Sequence, residues 1–215
     1  RKLVYYINRA LAQAGFGEAR IYFRSNWESK GFIDKIVETE NWSTPVTLMH
    51  IFKSNLNYKD KVIWTHDLHL PEGIRIEIWR DINKDYKDEL KRRIEHDKSI
   101  PQYLSPFTNT DKIENLNSVG LIKKTEIIGW NIIYRINIDT LEYNNLFIQK
   151  EYRKNIILPI ALISRSVKLQ IKNNITNFIW LVDNSDLRML NFIYRKIGHL
   201  IDSDVLVMQT TKRLK

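Results

Sequence analysis

The basic turn Glu151-Tyr152-Arg153-Lys154-Asn155 directly precedes an apolar stretch that is typical of a helix. Pro159 suits the first turn of that helix, because its fixed φ and missing N–H cost little at this position. The first N–H groups of a helix have no partner within the helix, and the helix dipole adds positive potential at the same end. Together with the side chains of Arg153 and Lys154, the turn is a candidate site for an anion of the size of a phosphate.

A second polar group, Asp183-Asn184-Ser185-Asp186, separates an apolar run from another helical stretch that carries Tyr194. Amide and phenol side chains can bind and protonate substrates. Each feature also has a plainer explanation. The polar segment is what commonly caps a helix, and Tyr194 lies on an apolar stripe with Leu187, Leu190 and Ile197 that is typical of core packing.

Composition excludes several kinds of chemistry. The 215 residues include no Cys, so disulfides, thiolate metal sites and an acyl-Cys intermediate are excluded. His66 and His69 have the His-x-x-His spacing of some zinc sites, but no further ligand types cluster nearby. Two histidines in a solvated loop are the favoured interpretation, and we expect no metal site.

The net charge of +9 favours a polyanionic partner. CoA, an acidic carrier protein, an acidic peptide and nucleic acid all fit this charge. Nucleic acid is the least favoured of them, because aromatic residues do not alternate with Lys and Arg as stacking platforms would. The longest apolar run, 156–163, is too short to cross a bilayer, and Asn8 and Arg9 interrupt the first apolar run. We expect a cytoplasmic protein without a membrane span.

The spacing of apolar residues predicts the elements that hold these groups. The stretch from Thr140 to Gly198 predicts strand, turn, helix, strand and helix in that order. The elements expected in this stretch and upstream of it are strands at 74–78, 119–123, 127–136, 141–149 and 178–182, and helices at 85–97, 159–173 and 187–197. The segment 99–107 has two prolines and two aromatic residues, which indicate an ordered loop.

This order of elements, with the basic turn before one helix and Phe192-Ile193-Tyr194-Arg195-Lys196-Ile197-Gly198 ending the next, resembles the GNAT acyltransferase superfamily over roughly the last two-thirds of the chain. The resemblance implies an α/β (α+β) fold with a mixed, largely antiparallel central sheet and helices on both faces. In that family an Arg/Gln-x-x-Gly-x-Gly/Ala turn holds the pyrophosphate of acyl-CoA. Here Arg153 is kept, but Ile156 and Leu158 replace the glycines. Glycine allows φ > 0 and close approach, so we expect an altered pyrophosphate pose.

The resemblance also implies roles for single residues. Tyr194 would protonate the departing thiolate. Glu142 would act as general base for the amine, with Glu77 and His199 as alternatives and an exposed strand-end Glu as the plainer interpretation. The backbone of Phe147, Ile148 and Gln149 would bind pantetheine and polarise the thioester carbonyl. The remaining donor-binding residues would be Arg153, Lys154, Asn155, Ile156, Ile157, Leu158 and Asn184. No permanently bound cofactor is implied.

The first 53 residues repeat the order of elements at the end of the chain. Placing Asn26 on Asn184 puts Leu48 on Leu206 without a gap. We therefore predict a partial GNAT-like N-terminal lobe at 1–53, a linker at 54–72 and an acyltransferase domain at 73–215, with chance similarity as the alternative. The elements predicted in the lobe are a helix at 1–15, a strand at 19–24, a helix at 27–39 and a strand at 46–52. The residues predicted to face inward are Leu3, Tyr6, Ile7, Ala10, Leu11 and Ala14 on the first helix, and Phe32 and Ile36, with Trp42, at the second.

The sequence thus predicts an N-acyltransferase in which an amine attacks an acyl thioester bound between the two central strands. The donor would be acyl-CoA or the acyl-phosphopantetheine of an acyl carrier protein, with a medium or long chain among the options. The acceptor would be an amine of a peptide or amino acid, such as a Lys or ornithine side chain, beneath the loop 99–107. That loop and Gly129-Trp130 are similar to GNAT-like enzymes of natural-product pathways that acylate peptides. The alternative is a non-catalytic, degenerate GNAT-fold module that binds an acidic partner. The sequence does not decide whether the protein forms an oligomer.

Overall fold

The computed structural model describes residues 2–56, 68–97 and 100–214. The predicted linker and His66 fall largely outside these residues. The helices and strands, in chain order, are α1 (Lys2–Gln13), β1 (Glu18–Arg24), α2 (Lys30–Thr39), β2 (Val46–Asn55), β3 (Ile74–Ile78), α3 (Lys84–His96), β4 (Val119–Lys123), β5 (Glu126–Asn137), β6 (Thr140–Ile148), α4 (Ile157–Lys172), β7 (Asn177–Asp183), α5 (Leu187–Phe192) and β8 (Ser203–Arg213). The predicted order of elements is confirmed.

The chain divides into two compact units. One, which we call the continuous unit, is Ser54–Trp180. The other, the discontinuous unit, combines the residues up to Lys53 with those from Leu181 onwards. The boundary at Lys53 coincides with the predicted end of the N-terminal lobe, whereas the predicted acyltransferase domain contributes to both units. The internal repeat itself stays a prediction.

The continuous unit is built on the antiparallel strands β3, β4, β5 and β6, in that order, with β7 parallel to β6. Successive strand residues point to opposite faces, so Phe147 and Ile148 belong to different cores. Ile148 packs with the α4 residues Leu158 and Leu162, whereas Phe147 shares its cluster with the α3 residues Leu90 and Ile94. Helices therefore cover both faces of this sheet, as predicted.

Close packing between β5 and β6 explains the Gly129-Trp130 pair. A Cβ atom on Gly129 would lie 2.8 Å from the backbone oxygen of Phe147 and 2.7 Å from Cδ1 of Ile148. The ring of Trp130 stacks on that of Phe147 at a centroid distance of 4.5 Å. The pair thus has a packing role in holding β6, which carries the predicted donor-binding backbone.

The parallel pairing of β6 with β7 covers only part of β6. The registered pairs run from Thr140 with Asn177 to Tyr143 with Trp180. Beyond Tyr143, β6 continues to Ile148 with no registered partner residue on β7 among the described residues. The end of β6 therefore keeps one backbone edge that a ligand could pair with.

In the discontinuous unit, β8 lies between β1 and β2 and is antiparallel to both. Gln209 is the register partner of Tyr22 on one side and of Val46 on the other. A small core of Ala19, Ile36 and Trp42 lies under α1 and α2.

The prediction of which α1 residues face inward is right for Leu11 and wrong for the others, including Ala10 and Ala14. Val4 and Leu11 pack on the core and Asn8 is buried, whereas Leu3 and Tyr6 are 72% and 62% exposed, and Ile7 is also exposed. Apolar residues with helical spacing lie on two sides of this helix, Val4 and Leu11 on one and Leu3, Tyr6 and Ile7 on the other. Hydropathy alone therefore does not decide which side faces the core. The prediction for Phe32 on α2 is wrong for the same reason, because Ile33 and Ile36 take the inward positions.

The predicted apolar stripe after β7 is buried only in part. After Phe192 the helix widens into a π-helical turn, Ile193–Ile197. A π turn holds an extra residue, which rotates the following side chains relative to the preceding turns. Leu190, Ile193 and Ile197 are buried, while Leu187 is exposed and Tyr194 keeps 53% of its surface exposed. Tyr194 is therefore not a core-packing residue.

Candidate active site

Tyr194 belongs to a hydrogen-bonded group of side chains in the discontinuous unit. We call this group, which consists of His50, Asn184, Tyr194 and Asp204, the Tyr194 cluster. His50 lies on β2 opposite Leu206 of β8, so Asp204 is two residues away on the neighbouring strand and on the same face. Asn184 directly follows β7, and the π-helical turn presents Tyr194. Four separate segments of the chain thus bring these polar groups together.

Asp204 is the centre of the Tyr194 cluster. Its Oδ2 accepts a hydrogen bond from the Tyr194 hydroxyl at 2.8 Å and lies 2.9 Å from Nδ1 of His50. The Tyr194 oxygen is itself 3.4 Å from His50 Nδ1. The other imidazole nitrogen, Nε2, lies 3.1 Å from Oδ1 of Asn184. A doubly protonated His50 can donate to both of these oxygens.

The environment of the cluster keeps the Tyr194 phenol protonated. The ring of Tyr194 stands edge-on to Phe52, with centroids 5.4 Å apart, and Phe52 stacks on the imidazole of His50. Loss of solvent around the hydroxyl, followed by its hydrogen bond to Asp204 and the charge of that carboxylate, raises the pKa of Tyr194 to about 12. The group can hold and deliver a proton at neutral pH, and its conjugate base is unfavourable beside Asp204.

Glu142 lies in the continuous unit and is buried at 9% exposure, not exposed at a strand end. It is opposite Tyr134 in the β5–β6 register, and its carboxylate accepts a hydrogen bond from Asn144. Burial raises the pKa of the Glu142 carboxyl, although the bond from Asn144 and the charge of Lys112 lower it in part. A partly desolvated carboxylate of this kind suits a general base.

The predicted acceptor loop is tied to the sheet near Glu142. Trp130 Nε1 donates to the backbone oxygen of Leu104 at 2.9 Å, and the Tyr134 hydroxyl donates to that of Thr108 at 3.0 Å.

The two residues that were predicted as alternative general bases, Glu77 and His199, have different surroundings. The Glu77 carboxylate is ion-paired with Arg75 at 2.6 Å, and His199 is exposed after the last helix.

The basic turn before α4 satisfies much of its own hydrogen bonding. The side chain of Asn155 accepts from the N–H of Ile157 at 3.0 Å, and Arg153 Nε donates to the backbone oxygen of Ile148 at 2.8 Å. Ile156 has a helical φ of −64°, so no left-handed residue is needed where the family has glycine. Leu158 is fully buried in the core, while Ile156 is exposed. The exposed Ile156 side chain therefore changes the surface of the turn, and Leu158 does not.

The backbone at the end of β6, which is predicted to bind the donor, forms hydrogen bonds with neighbouring residues. The N–H of Gln149 donates to Ile128 at 2.9 Å, and its side-chain amide donates to the backbone oxygen of Ile127 at 3.0 Å. Phe147 lies under the guanidinium of Arg153, at 5.2 Å from the ring centroid. A pocket of about 400 Å³ adjoins these residues in the continuous unit. Lys154 and Arg153 are exposed at the turn and can meet an anion.

Within the described parts of the chain, no group of three or more His, Asp or Glu residues is placed to hold a metal ion. Over the same residues, no helix has the length and apolar character needed to cross a membrane.

No family model matches this chain, and no curated protein matches it either. Solved structures do. A tandem GNAT protein from the clavulanic acid biosynthesis pathway aligns with 100% of this chain and 70% of its own, with 9% identity and a TM-score of 0.63. A GCN5-related N-acetyltransferase from Sphaerobacter thermophilus aligns with 92% of this chain and 60% of its own, with 13% identity and a TM-score of 0.57.

A third structure, the GCN5-related N-acetyltransferase from Kribbella flavida, aligns with 97% of this chain and 73% of its own, with 12% identity and a TM-score of 0.53. This chain therefore spans between 60% and 73% of the lengths of these three proteins. The similarity confirms the predicted fold: the chain has the fold of GNAT acetyltransferases.

Sequence reasoning missed His50 and Asp204. His50 lies on the strand predicted at 46–52, whereas no strand is predicted over Asp204, and neither residue is among the predicted site residues. Their pairing depends on β2 and β8 being neighbours in the order β1, β8, β2. The available signal was polar residues within otherwise apolar strands, which is too common to identify a site without the strand order.

Proposed function

We propose that this protein is an N-acyltransferase that moves an acyl group from a thioester to an amine. The observation that supports this most is the hydroxyl of the half-exposed residue Tyr194, which is held 2.8 Å from Asp204 and 3.4 Å from His50. A phenol kept protonated in such a group is suited to give its proton to a leaving thiolate. The GNAT fold supports the same reaction class by analogy.

Every proton that moves in the proposed reaction has a donor and an acceptor. The amine nitrogen bonds to the thioester carbonyl carbon, and the carbon–sulfur bond then breaks. The sulfur takes the proton of Tyr194, and the resulting phenolate, unfavourable beside Asp204, takes a proton from Nδ1 of His50. The neutral imidazole keeps its remaining proton on Nε2, which donates to Oδ1 of Asn184. The proton lost by the amine goes to Glu142, whose burial favours proton uptake.

Donor recognition is assigned to the continuous unit. The unpaired edge of β6 beyond Tyr143 can hydrogen-bond the amides of pantetheine. Arg153, Lys154 and the start of α4 supply positive potential for a phosphate. The side chain of Ile156 limits how closely a phosphate can approach the backbone of the turn, which glycine would leave open. The proposed donor is therefore acyl-CoA in a shifted pose or an acyl carrier protein, whose phosphopantetheine has a single phosphate.

The acceptor is assigned to the face of the sheet that carries Glu142 and the loop anchored through Leu104 and Thr108. A net charge of +9 favours an acidic peptide or amino acid whose Lys or ornithine side chain is the nucleophile. The similarity to a tandem GNAT protein of the clavulanic acid pathway agrees with a role in natural-product chemistry. A cytoplasmic location is part of this proposal.

Thermal stabilisation by acyl thioesters tests the donor assignment. Acetyl-, octanoyl- and palmitoyl-CoA would be compared with CoA lacking an acyl group, and acyl carrier proteins would follow. Selective stabilisation by one chain length is expected, because a ligand that binds only the folded state raises the melting temperature. Stabilisation by none of these thioesters would contradict acyl transfer.

A second function has its own support. Asn155 and Arg153 satisfy the turn internally, as expected where no pyrophosphate has to be bound. This observation favours a degenerate GNAT-fold module that binds an acidic partner without catalysis. Binding of acidic peptides that is unaffected by Tyr194→Phe, together with no thioester binding, would support it over the enzyme.

A further inference from the structure

A groove of about 820 Å³ lies in the discontinuous unit, at the end of β8 opposite to the Tyr194 cluster. One wall is α1, with Tyr5, Asn8 and Arg9, and the other is the end of β8 from Thr211 to Leu214. At about 3.3 Å per strand residue, Asp204 is roughly 25–30 Å away. We call this the α1–β8 groove, and its volume is within the range of about 300–1,000 Å³ typical of small-molecule sites.

Asn8 gives the first sign of a ligand. It lies on the inward stripe of α1 between Val4 and Leu11 and is only 8% exposed. Its side-chain nitrogen is buried and has no hydrogen-bond partner among the described residues. A buried amide without a partner is unfavourable, and an apolar residue of similar size would pack better. A ligand oxygen in the groove would supply the missing acceptor.

The charge of the groove indicates what kind of ligand this is. Arg9, Lys212 and Arg213 all line it, and no acidic side chain does so among the described residues. Lys212 Nζ lies 3.7 Å from the carboxylate of Glu40, whereas Arg9 and Arg213 form no ion pair with any described residue. Guanidinium groups bind phosphate in a bidentate manner, which ammonium groups cannot do.

Tyr5 supplies an apolar surface on the same wall. It keeps 54% of its surface exposed and lies one helical turn from Arg9. Side chains four residues apart on a helix are neighbours, so a ring and a guanidinium are presented side by side. An exposed tyrosine beside an arginine fits a ligand with a planar ring next to its anionic group.

We propose that the α1–β8 groove binds a small phosphorylated molecule with an aromatic or heterocyclic ring, its phosphate on Arg9 and Arg213 and its ring on Tyr5. The groove is separate from the Tyr194 cluster, which lies at the other end of β8. It does not depend on acyl transfer, and it would persist if the protein were not an enzyme.

Binding of ADP and of inorganic pyrophosphate by the full chain tests the proposal. Isothermal titration at low and physiological salt should show a saturable site for ADP that remains in Arg153→Ala, with pyrophosphate at least tenfold weaker there because it lacks the ring. Arg9→Ala and Arg213→Ala should each weaken ADP at least tenfold, and Tyr5→Ala should remove the preference for ADP. Equal affinity for both probes would overturn the ring assignment, and no saturable binding of either would overturn the site.

Two arginine controls locate the binding. Arg24→Ala removes an exposed arginine at the end of β1 in the same unit, and Arg153→Ala removes the one at the turn before α4. Neither should change ADP affinity. A loss with Arg24→Ala would indicate general charge attraction, and a loss confined to Arg153→Ala would place ADP at the turn. Either result would overturn the proposal.

Asn8→Leu separates a binding role from a structural one. It removes the unpartnered amide at nearly constant volume, so the melting temperature of the free protein should rise or stay unchanged. ADP affinity should nevertheless fall several-fold. A lower melting temperature with unchanged ADP affinity would show that Asn8 serves the fold and would contradict its assignment to the groove.

Discussion

The Tyr194 cluster and the turn at Arg153 use their polar groups in opposite ways. In the cluster, Tyr194 and His50 come from separate segments and meet at Asp204, and Asn184 bonds to His50. Tyr194 stays half-exposed. At the turn, Asn155 caps its own helix and Arg153 bonds to a nearby strand residue, Ile148. Local folding requirements explain the turn in full. They do not explain why His50 and Asp204 should be placed beside a tyrosine, which makes the cluster the stronger indication of chemistry.

The largest effect is expected from Tyr194→Phe. The variant keeps the ring packing on Phe52 but loses the proton donor, so turnover should fall about 10²–10⁴-fold with little change in melting temperature. Steady-state kinetics with the preferred thioester measures this. Tyr22→Phe, at an exposed tyrosine on β1, is the matched control and should retain full turnover. Normal turnover by Tyr194→Phe would remove the cluster from the mechanism.

Arg153→Ala tests whether the turn binds the donor in addition to forming its internal hydrogen bonds. Loss of a charged contact to phosphate should weaken donor binding roughly tenfold and reduce its salt dependence. Calorimetric titration at several salt concentrations measures both. Arg165→Ala, at an exposed arginine on α4, should leave donor binding unchanged. If the two variants behave alike, the turn has only its structural role.

Asp204→Asn should lower the pKa of Tyr194 from about 12 towards its ordinary value near 10. The direction follows from removing the acceptor and negative charge that disfavour the phenolate. Because the folded pKa is raised, the contribution of this proton to stability is present below pH 10 and is lost as pH rises from about 10 to 12.

Titration of the tyrosine side-chain carbon by NMR, with Tyr194→Phe to assign the signal, measures this pKa. The loss of stability between pH 10 and 12 should be smaller in Asp204→Asn than in the natural sequence. An unchanged Tyr194 pKa would mean that the hydrogen bond to Asp204 is not maintained in solution.

The smallest effect is expected from Asn155→Ala at the turn. Removing the cap should lower the free energy of unfolding by about 0.5–2 kcal/mol, measured by urea denaturation. The same change frees the N–H of Ile157, so donor affinity should stay unchanged or rise slightly. A large loss of donor affinity with unchanged stability would show that Asn155 binds the ligand. The turn, like the Tyr194 cluster, would then have polar groups placed for a ligand and not only for folding.

Much of the fold was accessible from the sequence because it depends on local spacing. The strand at Thr140–Ile148, the turn and the helix at Ile157–Lys172 follow from apolar periodicity, Pro159 and the flanking asparagines. The cluster was accessible only in part. Tyr194 and Asn184 were identified, but the π-helical turn that exposes Tyr194 has no local signature.

His50 and Asp204 could not be found from the sequence, because their meeting requires the order β1, β8, β2, and strand order depends on contacts between distant parts of the chain. The inward face of α1 was predicted only in part, for a related reason. Asn8 takes a buried position that hydropathy assigns to Leu3, Tyr6 or Ile7, and only packing against the core distinguishes the two stripes.

The position of β8 also has a consequence for biosynthesis. This strand lies between β1 and β2, yet it is made after the whole continuous unit. During translation the continuous unit can fold as soon as it emerges, whereas β1 and β2 must wait with unpaired edges that could join to other chains. Slow elongation or premature termination within the final segment would therefore prolong or fix this vulnerable state. Truncation near Ser203 should yield aggregated protein rather than a soluble fragment.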